Sequence, residues 1–261
     1  LAPGNTLQKK DMIEMDSSVT TEKPWRRLAG NILMYDTMGA SQFSLLTLFF
    51  GLRESHKLLE IGSGPLRAGR FFIMFLEEGN YYGVEPNERA TKQGLRHEVG
   101  EQLVAQRKPT IVERSDYGVH ELGATFDYAV SYSVLTHCPP ADVTRLFTNL
   151  SKCFHANSIF LGTASFSEGA EVIVDDVNWT DLPINQYSFE RIEREAERIG
   201  MKAARLGRVF QDWFCVYHEE NQIALDGIEQ ASRIAWQKVL PRWETPPLWG
   251  QNHLGNEKKS A

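Results

Sequence analysis

Apolar and polar positions change period several times along the chain. From Asn31 to Phe50 the apolar residues recur at helical spacing, with Phe43, Leu46 and Phe50 on one face and Gly51 as a stop. Short apolar runs then alternate with helical stretches. KLLEI (57–61) predicts a strand and Pro65 to Glu77 a helix; YYGVE (81–85) predicts a second strand, after which Asn87 can cap a helix reaching about Gln106. TIVER (110–114) and FDYAVSY (126–132) are the third and fourth strands. Pro139 or Pro140 opens a helix whose Val143, Leu146, Phe147 and Leu150 fall at i, i+3, i+4 and i+7, and SIFLGTA (158–164) is the fifth strand.

A long loop, Ser165 to Tyr187, leads to Ser188 and a charged helix ending at Gly200. AARLGRV (203–209) and WFCVYH (213–218) are two further strands, about three residues apart. That gap is too short for a parallel crossover, so the pair is antiparallel. The alternation predicts an α/β fold: a Rossmann-like, doubly wound, seven-stranded sheet, mostly parallel, closed by an antiparallel hairpin. Helical extensions flank it. Residues 1–55 read as an arm and a lid helix, 56–218 as the core, and 219–261 as a helix followed by an irregular tail. In that last helix Leu225, Ile228, Ala235 and Val239 share a face.

Composition narrows the partners. The formal net charge is -6 and no basic run exceeds two residues, which argues against a nucleic-acid partner. No run of eighteen apolar residues occurs, so no membrane span is expected. Cys138, Cys153 and Cys215 show no C-x-x-C spacing. An odd, sparse set suits reduced thiols and a cytoplasmic setting, with the three acting as small buried hydrophobes.

The chemistry gathers at LLEIGSGPLRAGRFF, Leu58 to Phe72: an apolar strand, an acid, a glycine turn, then an apolar helix. Open parallel sheets bind ligands beyond the carboxyl ends of their strands. A nicotinamide or flavin site asks for G-x-G-x-x-G, yet Arg67 stands at the third position, and Glu60 would repel a pyrophosphate while suiting a cation.

In order and spacing these residues resemble a class I S-adenosylmethionine-dependent methyltransferase, from about Leu58 to His218. Glu60, Gly62 and Gly64 match the acid followed by G-x-G; Glu85 matches the acid ending the second strand; Asp116 matches the acid after the third. SVLTH, Ser133 to His137, matches the segment after the fourth strand, and YSFERIEREAERIGM looks like the late helix. Two positions depart from the pattern. Leu66 replaces the usual third glycine, so the turn should be shaped differently, and Arg67 or Arg70 can reach the site. FHANS replaces a proline-glycine-glycine turn before the fifth strand.

The resemblance implies S-adenosylmethionine as cofactor, S-adenosylhomocysteine as product and a small-molecule acceptor methylated at O, N or C. It implies cofactor contacts from Glu60, Gly62, Ser63, Gly64, Glu85, Pro86, Asp116, Tyr117, Ser131 and Ser133. Gly62 and Gly64 would admit the methionine portion, and Glu60 would sit near its ammonium or else cap the next helix. Glu85 would accept from both ribose hydroxyls, and Asp116 would take the adenine amino group with Tyr117 nearby. His137 is the candidate base, or else a residue that orders its loop. Metal is not expected: the fourth strand ends in Ser131-Tyr132, not in an acid, which leaves Asp175 and Asp176 as loop or substrate-facing residues. Trp25, Tyr35, Gln42, Trp179 and Tyr187 are the candidate wall of the acceptor pocket. A cofactor binder without turnover and a nicotinamide oxidoreductase are the rival readings, the latter disfavoured by Arg67 and the hairpin.

Overall fold

The computed structural model describes residues 23–30, 32–174 and 184–233. Seven strands form one sheet in the order β3-β2-β1-β4-β5-β7-β6. They are β1 Leu58–Ile61, β2 Tyr81–Val84, β3 Thr110–Val112, β4 Phe126–Ser131, β5 Phe154–Ala164, β6 Lys202–Val209 and β7 Gln211–Tyr217. The first five run parallel, and β7 lies antiparallel between β5 and β6. Only Phe210, in the left-handed region at φ 63, separates β6 from β7. The hairpin is therefore tighter than the sequence suggests. Chain order reverses between β1 and β4, so the strand ends there open a crevice, the usual ligand position of such sheets.

Among the described residues seven α-helices cover the sheet: α1 Tyr35–Ser44, α2 Gly69–Phe75, α3 Glu88–Gly94, α4 Glu101–Arg107, α5 Pro140–Ser151, α6 Phe189–Arg198 and α7 Gln222–Arg233. The apolar stripe of α5, with Val143, Leu146, Phe147 and Leu150, packs with α6 on one face against Leu59, Ala129 and Phe160. On the other face Leu46, Phe50, Phe72, Ile73, Ala224 and Ala231 meet Leu58, Tyr128, Val130 and Leu161. The helices at both ends of the described chain thus share a core with the sheet. No described helix is long and apolar enough to cross a membrane. All three cysteines are free and buried.

Several elements depart from expectation for local reasons. Helix α2 starts at Gly69 rather than Pro65, because Leu66 adopts φ 62 and a helix cannot run through it. The single helix expected after Asn87 is two: Gly100 at φ 87 separates α4 from the π-type turn that continues α3. Asn87 does cap, its side chain accepting from the Ala90 amide at 3.1 Å. FHANS belongs to β5, where the register jumps from Phe126 opposite Phe154 to Tyr128 opposite Ile159. In α7 the buried residues are Ala224, Gly227 and Ala231, while Leu225 is exposed. A Cβ on Gly227 would meet the Phe49 carbonyl at 2.7 Å, so close backbone approach selects this face. Ala235 and Val239 lie outside the described residues.

One charged cluster fastens the N-terminal segment to the body. Arg26 donates to both oxygens of Glu98 (2.7 and 2.8 Å) and to Asp36 (2.8 Å); Arg70 reaches the same two acids, and the Trp25 indole also donates to Glu98. Burial would raise the Glu98 carboxyl, yet the Arg26 bonds hold it below its usual range. The guanidinium carbons of Arg26 and Arg70 lie 4.4 and 5.0 Å from the centre of the Tyr35 ring. Removing one member of a buried ionic network leaves the others unpaired. Glu98→Ala should therefore cost about 3 kcal/mol of stability, whereas Lys92→Ala, which breaks an exposed i,i+4 pair with Glu88, should cost under about 0.5 kcal/mol. Urea denaturation of both variants checks the contrast.

Candidate functional site

The turn after β1 is built from three left-handed residues: Gly62 at φ 72, Gly64 at φ 51 and Leu66 at φ 62. A side chain on Gly62 would strike Val134 Cγ2 at 2.3 Å, so this glycine lets the segment after β4 lie directly on the turn. Above Gly64 nothing lies within 4 Å of a Cβ position, and the backbone there faces open space. Leu66 holds a conformation that costs a non-glycine residue about 1–2 kcal/mol. Its side chain is fully buried, and that burial supplies the compensation.

Two helices converge on the same turn. A Cβ on Gly39 of α1 would meet the Arg67 carbonyl at 2.2 Å, and one on Gly94 of α3 would meet the Pro65 carbonyl at 2.5 Å. The Tyr35 hydroxyl donates to that Pro65 carbonyl at 2.7 Å.

Glu85, just past the end of β2, ties the turn to its neighbour. One carboxylate oxygen accepts from the Gly64 amide (2.8 Å) and the other from the Asn87 amide (2.9 Å). Desolvation raises its pKa against those two bonds. Each oxygen keeps a further lone pair. Pro86 beside it is exposed.

Glu60 points elsewhere. Its side chain is buried under α2 and accepts from the Tyr81 hydroxyl at 2.6 Å. Desolvation pushes its carboxyl up to about 8. The side chain therefore neither caps α2, whose N-terminus has no side-chain cap, nor turns to the crevice. Ser63 is buried close to Gly83.

The segment after β4 forms the opposite bank. Ser131 is fully buried, and its hydroxyl has no partner among the described residues. Ser133 is left-handed at φ 62, its amide donates to Thr163 Oγ1 (2.8 Å), and its hydroxyl accepts from Gln211 (2.8 Å). Thr163 in turn donates to the Gln211 carbonyl oxygen at 2.6 Å, so the ends of β4, β5 and β7 are laced together. His137 lies in a single 3₁₀ turn, half-buried, and burial lowers its pKa. Asn185 pins this segment, donating to the Cys138 carbonyl (2.7 Å) while its own amide donates to the Thr136 carbonyl (2.7 Å).

Beyond β3 the arrangement is more exposed. Asp116 pairs with Arg114 at 2.8 Å and stays largely in solvent. Tyr117, at φ 56, turns inward to Cys138 Sγ at 2.9 Å and joins the core. Leu66, Tyr117 and Ser133 are thus non-glycine residues in left-handed conformations within the loops after β1, β3 and β4. Backbone strain of this kind gathers where a site over-determines its loops.

The candidate acceptor-pocket residues are mostly braces. Tyr35 and Tyr187 are fully buried and Gln42 nearly so, which prevents them from lining an open pocket. Tyr187 donates to the Cys138 carbonyl and Gln42 to the Met38 carbonyl. Trp25 belongs to the charged cluster. Trp179, Asp175 and Asp176 lie outside the described residues. No three His, Cys, Asp or Glu among the described residues are grouped to hold a metal ion. An open groove of about 780 Å³, bordered by Asp36, Arg70, Phe71, Met74 and Glu98, lies beside α1 and α2, away from the strand ends.

No protein-family profile and no curated protein matches the chain. Solved structures do. Magnesium protoporphyrin IX methyltransferase (ChlM) from Synechocystis PCC 6803 with bound SAM superposes at TM-score 0.55, with 14% identity over 75% of this chain and 89% of that one. The glycopeptide N-methyltransferase MtfA complexed with SAM gives 0.52, with 16% identity over 69% and 92%. DesVI of Streptomyces venezuelae gives 0.55, with 12% identity over 78% and 99%. The fold of this chain is that of the class I S-adenosylmethionine-dependent methyltransferases, including the closing antiparallel hairpin.

Glu60 yields a pH prediction. A carboxyl whose folded pKa lies above its unfolded value contributes stability that is complete below the unfolded pKa and lost as pH rises through the folded one. For Glu60 that window runs from the ordinary carboxylate range up to about 8. Melting temperature should therefore fall between pH 5 and pH 8 more steeply in the wild type than in Glu60→Gln, at roughly 2–4 °C per kcal/mol for a chain of this size. Parallel melting slopes in the two proteins would show that Glu60 is ionised throughout.

Proposed function

We propose that this chain is an S-adenosylmethionine-dependent methyltransferase acting on a small-molecule acceptor at O, N or C. The carrying observation is the pairing of Glu85 with Gly64. A carboxylate with free lone pairs stands at the end of β2, beside a glycine whose backbone faces open space, at the point where strand order reverses. That combination suits a nucleoside with a vicinal diol and no phosphate. Neighbours with the same fold support the reading, since the ChlM and MtfA structures hold SAM.

In this reading Glu85 takes the ribose hydroxyls, Gly62 and Gly64 admit the chain that follows the sugar, and Asp116 lies on the adenine side. Pro86, Tyr117, Ser131 and Ser133 flank the cofactor. Ser63 supports the turn from below. Glu60 acts through the turn rather than by touching the ligand. When bound, the cofactor supplies an electrophilic methyl group on a sulfonium. The protein's task is to align the acceptor, exclude water and receive any proton the acceptor must lose. Burial keeps the His137 imidazole neutral near pH 7, the form that accepts a proton. Asn185 and Ser133 hold the loop that carries it.

Calorimetric titration with S-adenosylhomocysteine and, separately, with NAD tests the assignment. Saturable binding of the first alone is expected; binding of NAD alone would sink it. Glu85→Ala should weaken S-adenosylhomocysteine binding by about 10- to 100-fold, the worth of charged hydrogen bonds to two hydroxyls. Unchanged affinity would remove the ribose role. His137→Ala should keep that affinity within about twofold while lowering turnover by about 10²-fold or more; full turnover in the variant would leave His137 a loop residue only.

A further inference from the structure

Arg67 differs from the other arginines near the N-terminal segment. Arg26 and Arg70 are both paired with Asp36 and Glu98. Arg67 forms no ion pair among the described residues. Its guanidinium lies between α1 and the end of β4. Nη1 donates to the Ala29 carbonyl at 2.8 Å and contacts Met38 Sδ at 3.5 Å. The guanidinium carbon sits 4.6 Å from the centre of the Tyr132 ring, and Tyr132 in turn packs against Trp213 in a tilted pair, 5.7 Å between ring centres. Nε is buried and has no hydrogen-bond partner among the described residues.

Tyr132 carries a second unused donor. The residue is 9% exposed, and its hydroxyl is buried without a partner. Burial pushes its pKa up to about 12, so it remains a donor at neutral pH. Glu60 is close enough for its charge to act on Arg67, but it bonds to Tyr81, burial disfavours its ionised form, and it makes no ion pair with the guanidinium. Burial in turn lowers the Arg67 pKa, as expected for a cation short of a counter-charge. A buried guanidinium is costly without an anion, and its planar fork matches a carboxylate or a phosphate; of the two, the cofactor of the proposed reading carries only a carboxylate.

We propose that Arg67 and Tyr132 together form a carboxylate-binding site between α1 and the end of β4, taking an acid group of the bound ligand. The site rests on the methyltransferase reading, because it lies three residues past Gly64 and between Ser131 and Ser133 in sequence. The acid group comes either from the aminoacyl end of the cofactor or from the acceptor. Replacing the glycine of a dinucleotide fingerprint by arginine is then a change of ligand chemistry: a bulky cation closes the space a pyrophosphate would need and offers a fork to an acid.

The test compares S-adenosylhomocysteine with methylthioadenosine, which keeps the nucleoside and thioether and lacks the aminoacyl group. If the cofactor supplies the acid, Arg67→Met weakens S-adenosylhomocysteine about 10- to 100-fold and methylthioadenosine less than twofold. Arg67→Lys, which keeps the charge without the fork, should recover part of the loss. If the acceptor supplies it, both affinities stay at wild-type values. Benzoate then raises the melting temperature of wild-type protein saturated with S-adenosylhomocysteine, benzamide does not, and Arg67→Met abolishes the difference. Tyr132→Phe removes only a hydroxyl and should reproduce a smaller version of whichever effect is found, even if Arg67→Met folds poorly. Equal losses for both nucleosides, or no loss together with no benzoate preference, overturn the site alone. Failure of the wild type to bind either nucleoside overturns the methyltransferase reading and the site with it.

Discussion

The close approach of backbone to backbone around the Gly62–Leu66 turn is the constraint on which the rest depends. Val134 lies where any side chain on Gly62 would be. Helices α1 and α3 press on the Arg67 and Pro65 carbonyls through Gly39 and Gly94. Glu85 holds the Gly64 amide from β2. Dense packing of this kind has few alternative arrangements, since interiors transmit strain rather than absorb it. The turn is thereby fixed from several sides before any ligand arrives, and that preorganisation reduces the cost of binding.

Polar groups around the crevice fall into two kinds. Some are saturated by the protein: Ser133, Thr163 and Gln211 lace strand ends, Asn185 and Tyr187 share the Cys138 carbonyl, and Asp116 pairs with Arg114. These give shape. Others keep unused capacity: both oxygens of Glu85, the Ser131 and Tyr132 hydroxyls, and Arg67 Nε. Buried polar groups are normally satisfied, so unused capacity on both banks of the crevice is informative. The charged cluster of Arg26, Asp36, Arg70 and Glu98 is held by ion pairs within the protein, and it anchors α1 over the same end.

Much of this was legible in the chain. Strand and helix order followed from period changes, and the antiparallel hairpin followed from the short gap before WFCVYH. Gly62, Gly64 and Glu85 announced themselves by position at strand ends. The direction of a side chain was not legible. Glu60 reads like a ligand contact, yet in β1 it alternates under α2 and meets Tyr81. Tyr35, Gln42 and Tyr187 read as pocket aromatics and amide, yet each is buried as a brace. Asn185, Thr163 and Gln211 carried no local signal, because their partners are distant in sequence.

By itself, then, the sequence determined what depends on neighbours along the chain: periodicity, capping at Asn87 and Ser188, the left-handed glycines and the alternation that demands a parallel sheet. Tertiary structure decided what depends on residues brought together from afar. It turned Glu60 inward and left Glu85 outward, although both stand at strand ends. It paired Arg26 and Arg70 with acids and, among the described residues, left Arg67 without one. The physical reason is that burial and charge pairing are properties of the assembled environment, where desolvation and the presence of a counter-charge set a group's role.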